Sequence, residues 1–170
     1  MRLQNFKTML IACLILSGLS IQAQKFGYLN SAQLLAELPE VKAADSELET
    51  YQKQLMSSGE SMVKKLETKY QEYSKQAQSG LLSQVEMQKK EQELAGEQKN
   101  IQEYEVEVQN KILAKREELY KPILDKVKVA LETIGKDQGY TMIFDSSAGT
   151  ILHANDSENV MGLVKAKLGI

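Results

Sequence analysis

Tryptophan is absent from this 170-residue chain, cysteine occurs once, proline twice, and aromatic residues make up only 6%. Each shortage excludes something. With so few large rings the chain has little to fill a large conventional core, and with proline only at Pro39 and Pro122 long uninterrupted helix is permitted. Cys13 sits in the first apolar run, so the chain beyond it can form neither a disulfide nor a thiolate metal site. Nucleotide-binding and zinc-protease signatures are missing: there is no G-x-x-x-x-G-K, no G-x-G-x-x-G and no H-E-x-x-H. The single histidine, His153, lies near Asp145, Ser146 and Ser147, the residue types of a hydrolase triad, but no G-x-S-x-G elbow accompanies them and turn roles fit better. Asp145, Asp156 and Glu158 lack calcium-loop spacing. No catalytic residue, cofactor or metal is assigned, and the chain does not read as an enzyme.

What is present begins with a leader. Arg2 and Lys7 precede a short apolar run from Met9 to Ile21, and Ile21-Gln22-Ala23 fits a cleavage site, so residues 1–23 read as a signal peptide for export across the inner membrane to the periplasm. Leu10-Ile11-Ala12-Cys13 also matches a lipoprotein motif, but the apolar run continues past Cys13, which favours cleavage after Ala23. Removing Arg2 and Lys7 leaves 19 basic against 23 acidic residues, a mature charge of −4. That balance disfavours a nucleic-acid partner.

Beyond the leader the periodicity changes three times. Phe26 to Leu29 reads as a strand, Asn30 with Gln33 as a capping box opening a short helix, and Pro39 as the first turn of the next. From Ala43 to Tyr120 good helix formers run without proline. Leu48, Leu55 and Met62 recur at intervals of seven, joined by Tyr51, Leu66, Tyr70 and Tyr73, and Met87, Leu94, Ile101 and Val108 repeat the same interval. Ser79-Gly80-Leu81-Leu82-Ser83 interrupts the pattern with turn chemistry, which predicts an antiparallel hairpin with its tip at 79–83. Matching the two series places Tyr73 opposite Met87, Leu66 opposite Leu94, and Met62 opposite Ile101. The seam is thin, and Gly59 and Gly96 predict arms that bend or fray. Pro122 predicts a break or kink, followed by a new amphipathic helix to Gly135, a strand at Tyr140–Phe144, a turn at 146–149, a second strand at Thr150–His153, and a last helix from Glu158 to Leu168 capped by Asp156 or Ser157.

The fold class expected is mostly α with a small β body. Residues 46–117 form the arm, and residues 24–45 with 118–170 form the body. A body this small is marginal alone, so strands from several copies are expected to complete one sheet or barrel. The interface residues expected are Phe26, Tyr28, Ile143, Phe144 and Ile151.

Lys25-Phe26-Gly27-Tyr28-Leu29-Asn30-Ser31, the long charged hairpin, and Gly139-Tyr140-Thr141-Met142-Ile143-Phe144-Asp145-Ser146 with Leu163-Val164-Lys165 resemble the Skp/OmpH family across essentially the whole mature chain. That resemblance implies a periplasmic, ATP-independent chaperone, a homotrimer with a small β-barrel body and helical tentacles, holding unfolded outer-membrane proteins. The best-studied members are basic. Here residues 56–100 balance seven lysines against seven glutamates, so electrostatic capture does not carry over and membrane or lipopolysaccharide contact stays open. Client contact is expected at Met56, Met62, Tyr70, Tyr73, Met87 and Tyr104, because Met adapts its shape and Tyr joins an apolar ring to a polar tip. For Met62, Tyr73 and Met87, filling the hairpin seam is the stronger reading. The alternative function is a structural coiled-coil spacer or adaptor of the cell envelope that binds one folded partner.

Overall fold

The computed structural model describes residues 24–170, so the stretch read as a signal peptide, with Cys13, lies outside the described residues. Strand β1 (Lys25–Leu29) leads into helix α1 (Ser31–Glu37). The Asn30 side chain accepts the backbone N–H of Gln33 at 3.0 Å, whereas the Gln33 side chain turns to Glu37, so the expected box closes on one side only. Pro39 opens α2 (Pro39–Gln78), where its missing N–H costs nothing because the first turn leaves that donor unpaired in any case. The chain reverses, and α3 (Gln84–Gln138) begins on a complete capping box between Ser83 and Glu86. Gly139 ends it in the left-handed conformation, at φ 70°. Strand β2 (Tyr140–Asp145), a 3-10 turn (Asp156–Glu158) and α4 (Met161–Leu168) complete the order.

Helices α2 and α3 make a long antiparallel hairpin. At 1.5 Å per residue, the 40 residues of α2 extend about 60 Å. The root of the hairpin packs into the body, where Val41 and Ala44 of α2 and Ile123, Val127 and Ile134 of α3 join Leu29, Leu34, Leu38, Val160 and Val164 in one core. The sheet is two-stranded and parallel, with Gly27 opposite Ile143 and Tyr28 opposite Phe144. Gly27 is needed there. A Cβ at this position would lie 2.8 Å from Val160 Cγ1 and 3.0 Å from the Tyr140 ring.

Four sequence expectations are corrected. First, α3 runs through Pro122 without a break. Proline forfeits one backbone bond and crowds the preceding turn, at about 3 kcal/mol, but packing fixes both sides: Leu119 and Tyr120 lie before it, Ile123 and Val127 after it, and Lys126 pairs with Glu40 at 2.5 Å across the hairpin. Second, the helices continue through Gly59 and Gly96, so the arms do not fray there. Third, Thr150–His153 forms no strand. Among the described residues the segment finds no ladder partner, and they form two strands rather than three. Fourth, the last helix starts at Met161, after the 3-10 turn, with the Asn159 side chain accepting the Met161 N–H at 2.9 Å.

Candidate functional site

Two surfaces carry the residues singled out from the sequence, one along the arm and one on the body. Along the arm the apolar seam is thin, and tyrosines supplement it. Tyr104 donates its hydroxyl to the Leu55 carbonyl at 3.0 Å, with Gly59 beneath its ring: a Cβ on Gly59 would sit 3.4 Å from Tyr104 Cε1. Gly59 is therefore a notch that admits a ring, and the helix continues past it. Tyr73 donates to Glu91 at 2.6 Å, and this bond, helped by partial burial, raises the Tyr73 pKa. Tyr120 is bonded likewise to Asp45 near the root. Ion pairs cross the hairpin between Lys69 and Glu97 and between Lys115 and Glu47.

This geometry divides the six arm candidates. Met62, Tyr73, Met87 and Tyr104 are half-buried between the helices. Met56, 55% exposed, and Tyr70, 60% exposed, face solvent. Val63 stands between these two at intervals of seven and is also exposed. Sequence reasoning passed over Val63, although the interval that marks it was visible.

On the body, alternation along the strands separates two faces. Gly27, Leu29 and Ile143 belong to the face that packs on the core, whereas Phe26, Tyr28, Met142 and Phe144 belong to the other. The rings of Phe26 and Phe144 lie 6.1 Å apart, tilted at 49°. With Tyr28, Ile151 and His153 they line an open groove of about 530 Å³. Four of the five expected interface residues thus meet on one surface. Ile143 is placed on the opposite face, against the core, because its position in β2 has the other parity. Beside the groove Leu152 is 96% exposed.

The family comparison bears on this combination of a long hairpin and a small parallel sheet. The sequence profile of the family described as "Outer membrane protein (OmpH-like)" matches residues 25–168. The chain belongs to the OmpH-like family. A crystal structure of an OmpH-like protein from Caulobacter crescentus CB15 is similar in fold with a TM-score of 0.73 at 14% identity, covering 85% of this chain and 83% of that one. Among curated proteins no sequence matches significantly.

In this OmpH-like chain Asp145 ties the groove to the rest of the body. Its carboxylate accepts the Ser31 N–H at 3.1 Å and hydroxyl at 2.5 Å, and the Ser147 N–H and hydroxyl, both at 2.9 Å. Partial burial alone would raise this carboxyl, but the four donors outweigh it and bring its pKa to about 2. The residues that suggested a triad thus form a turn: Ser147 bonds Asp145, and Gly149 donates back to Ser146 at 3.2 Å.

Proposed function

We propose that this protein is an ATP-independent holding chaperone of the periplasm, exported by residues 1–23, that shelters unfolded outer-membrane proteins between its arms and prevents their aggregation. Residues 24–45 with 118–170 serve as the oligomerisation body, and residues 46–117 serve as the arm. The open face of Phe26, Tyr28, Phe144 and Ile151 supports assembly, because a monomer that leaves two packed phenylalanines uncovered exposes an apolar patch of the kind that marks a protein interface. Three copies would place three arms around one cavity and complete a barrel from the two strands that the described residues of each contribute. The observation that carries the holding function is the exposure of Met56 and Tyr70, with Val63 between them, far out on a hairpin too slender to bury them. Many weak apolar contacts suit clients that share no sequence.

The test dilutes a β-barrel membrane protein from urea and follows its light scattering with and without a stoichiometric excess of this protein, with no nucleotide. Suppression is expected. Because charge along the distal arm is balanced, raising salt to physiological strength should weaken it only modestly. Unchanged aggregation at excess would refute the holding function.

A further inference from the structure

The two flanks of the hairpin differ in chemistry. On one, Lys65, Lys69 and Lys90 alternate with Glu72, Glu93 and Glu97 over the grooves between the helices. On the other, a groove of about 330 Å³ is lined by Leu66, Tyr70, Tyr73, Leu94, Ala95 and Gln98, with the Glu91 carboxylate taken up by the Tyr73 hydroxyl. Residues three, four and seven apart on a helix share a face. Extended by that rule, the second flank takes in Gln52, Met56 and Val63 of α2 and Gln88, Gln102 and Gln109 of α3. Glu60, Glu67, Glu91 and Glu105 are its carboxylates, and Lys53 and Lys99 stand at its edges.

We infer that this flank, with its exposed apolar ridge, is the arm's client-binding surface and that its ligand is an extended, unfolded polypeptide segment rich in apolar side chains. The inference rests on the holding function proposed above and adds where and how the client is held. Met56, Val63 and Tyr70 form one ridge of apolar knobs about 10 Å apart. Between them Glu60 and Glu67 are exposed, and Leu66 and Tyr73, the apolar residues three positions on, are half-buried in the hairpin's own seam, so a partner helix would find no second exposed apolar position with which to build a dry seam. A second copy's arm is therefore a poor occupant. An unfolded segment brings apolar side chains at irregular spacing together with backbone N–H and C=O groups that lack partners. The glutamine amides both donate and accept, and so can satisfy that backbone regardless of sequence. Met and Tyr adapt to whatever side chain arrives. The opposite flank, where Lys69 pairs with Glu97 and Lys115 with Glu47 across the hairpin, presents alternating charge and no comparable apolar ridge.

The experiment uses the full mature chain in two double variants that each add two positive charges: Val63→Lys with Tyr70→Lys on the flank with the apolar ridge, and Ser58→Lys with Asn100→Lys on the opposite one. Circular dichroism and light scattering check helix content and oligomeric state, and binding of a urea-unfolded β-barrel membrane protein is measured by fluorescence anisotropy. The first variant should bind at least about tenfold more weakly with assembly unchanged, and the second within about twofold of the parent. Equal binding by the two variants, or a changed oligomeric state in the first alone, would overturn the assignment, the latter by making this flank a contact between copies. A parent protein that bound no client would instead remove the holding function itself.

Discussion

Replacing Gly27 with alanine probes the packing of the body most sharply. The new methyl would meet Val160 Cγ1 at 2.8 Å and the Tyr140 ring at 3.0 to 3.1 Å, closer than Cβ contacts normally come. Neither neighbour gives way easily. Val160 is fully buried and its N–H is committed to the Tyr28 carbonyl at 2.9 Å, so moving it loosens the bridge that fixes the 3-10 turn to β1. Overpacking of this kind costs about 1–3 kcal/mol, and the lower entropy of an unfolded alanine offsets about 0.4–1. The net loss is about 1–2 kcal/mol, or about 3–6 °C in Tm. Gly96→Ala is the matched control. Nothing lies within 4 Å of its added methyl, and in a helix interior alanine gains about 1 kcal/mol. Thermal melts by circular dichroism, at one fixed protein concentration because association shifts Tm, should show opposite signs for the two substitutions. Gly27→Ala melting at or above the parent temperature would refute the close packing of β1 on the Val160 segment.

Three further outcomes follow from the same contacts. Tyr104→Phe removes only the hydroxyl that reaches the Leu55 carbonyl, so it should cost about 1 kcal/mol, read as faster amide exchange around Leu55–Gly59. Asp145 titrates at about 2 in the folded chain, below its ordinary 3.8, so its contribution is complete above pH 4 and is lost as pH falls toward 2; the difference in melting temperature between the parent and Asp145→Asn should shrink over that window, and a constant difference would contradict the four-donor account. Phe144→Asp places a charge on the open sheet face and should abolish the oligomer in light scattering, whereas retention of the full oligomer would move the interface elsewhere.

Much of this architecture was legible in the sequence, because helical hairpins announce themselves through local periodicity. Leu48, Leu55 and Met62, set against Met87, Leu94 and Ile101, mark two helices that pack, and Pro39 and the 79–83 turn punctuate their ends, although the returning helix runs past the expected end at Gly135 to Gln138. The errors fall where the deciding contact is distant. Pro122 carries the usual signal of a break, and only its neighbours' contacts with the body keep the helix whole. Thr150–His153 has strand composition, but strand formation needs a partner, and none of the described residues lies beside it as one. The parallel pairing of β1 with β2, more than a hundred residues apart, has no local signature. The ridge of Met56, Val63 and Tyr70 was present in the residue spacing, but that it faces solvent beside the groove of Leu66, Tyr73 and Leu94 becomes visible only once the facing pairs of the hairpin are known.

The central claim is that the arms hold the client while the body assembles the copies. It is tested most directly by deleting Leu48–Lys115, closing the gap with a short flexible linker, and comparing this armless protein with the parent in the aggregation assay. The account predicts a soluble oligomer of the same number that no longer suppresses scattering of the urea-diluted β-barrel protein. An armless oligomer that protected the client as well as the parent would contradict it and move the binding site to the body.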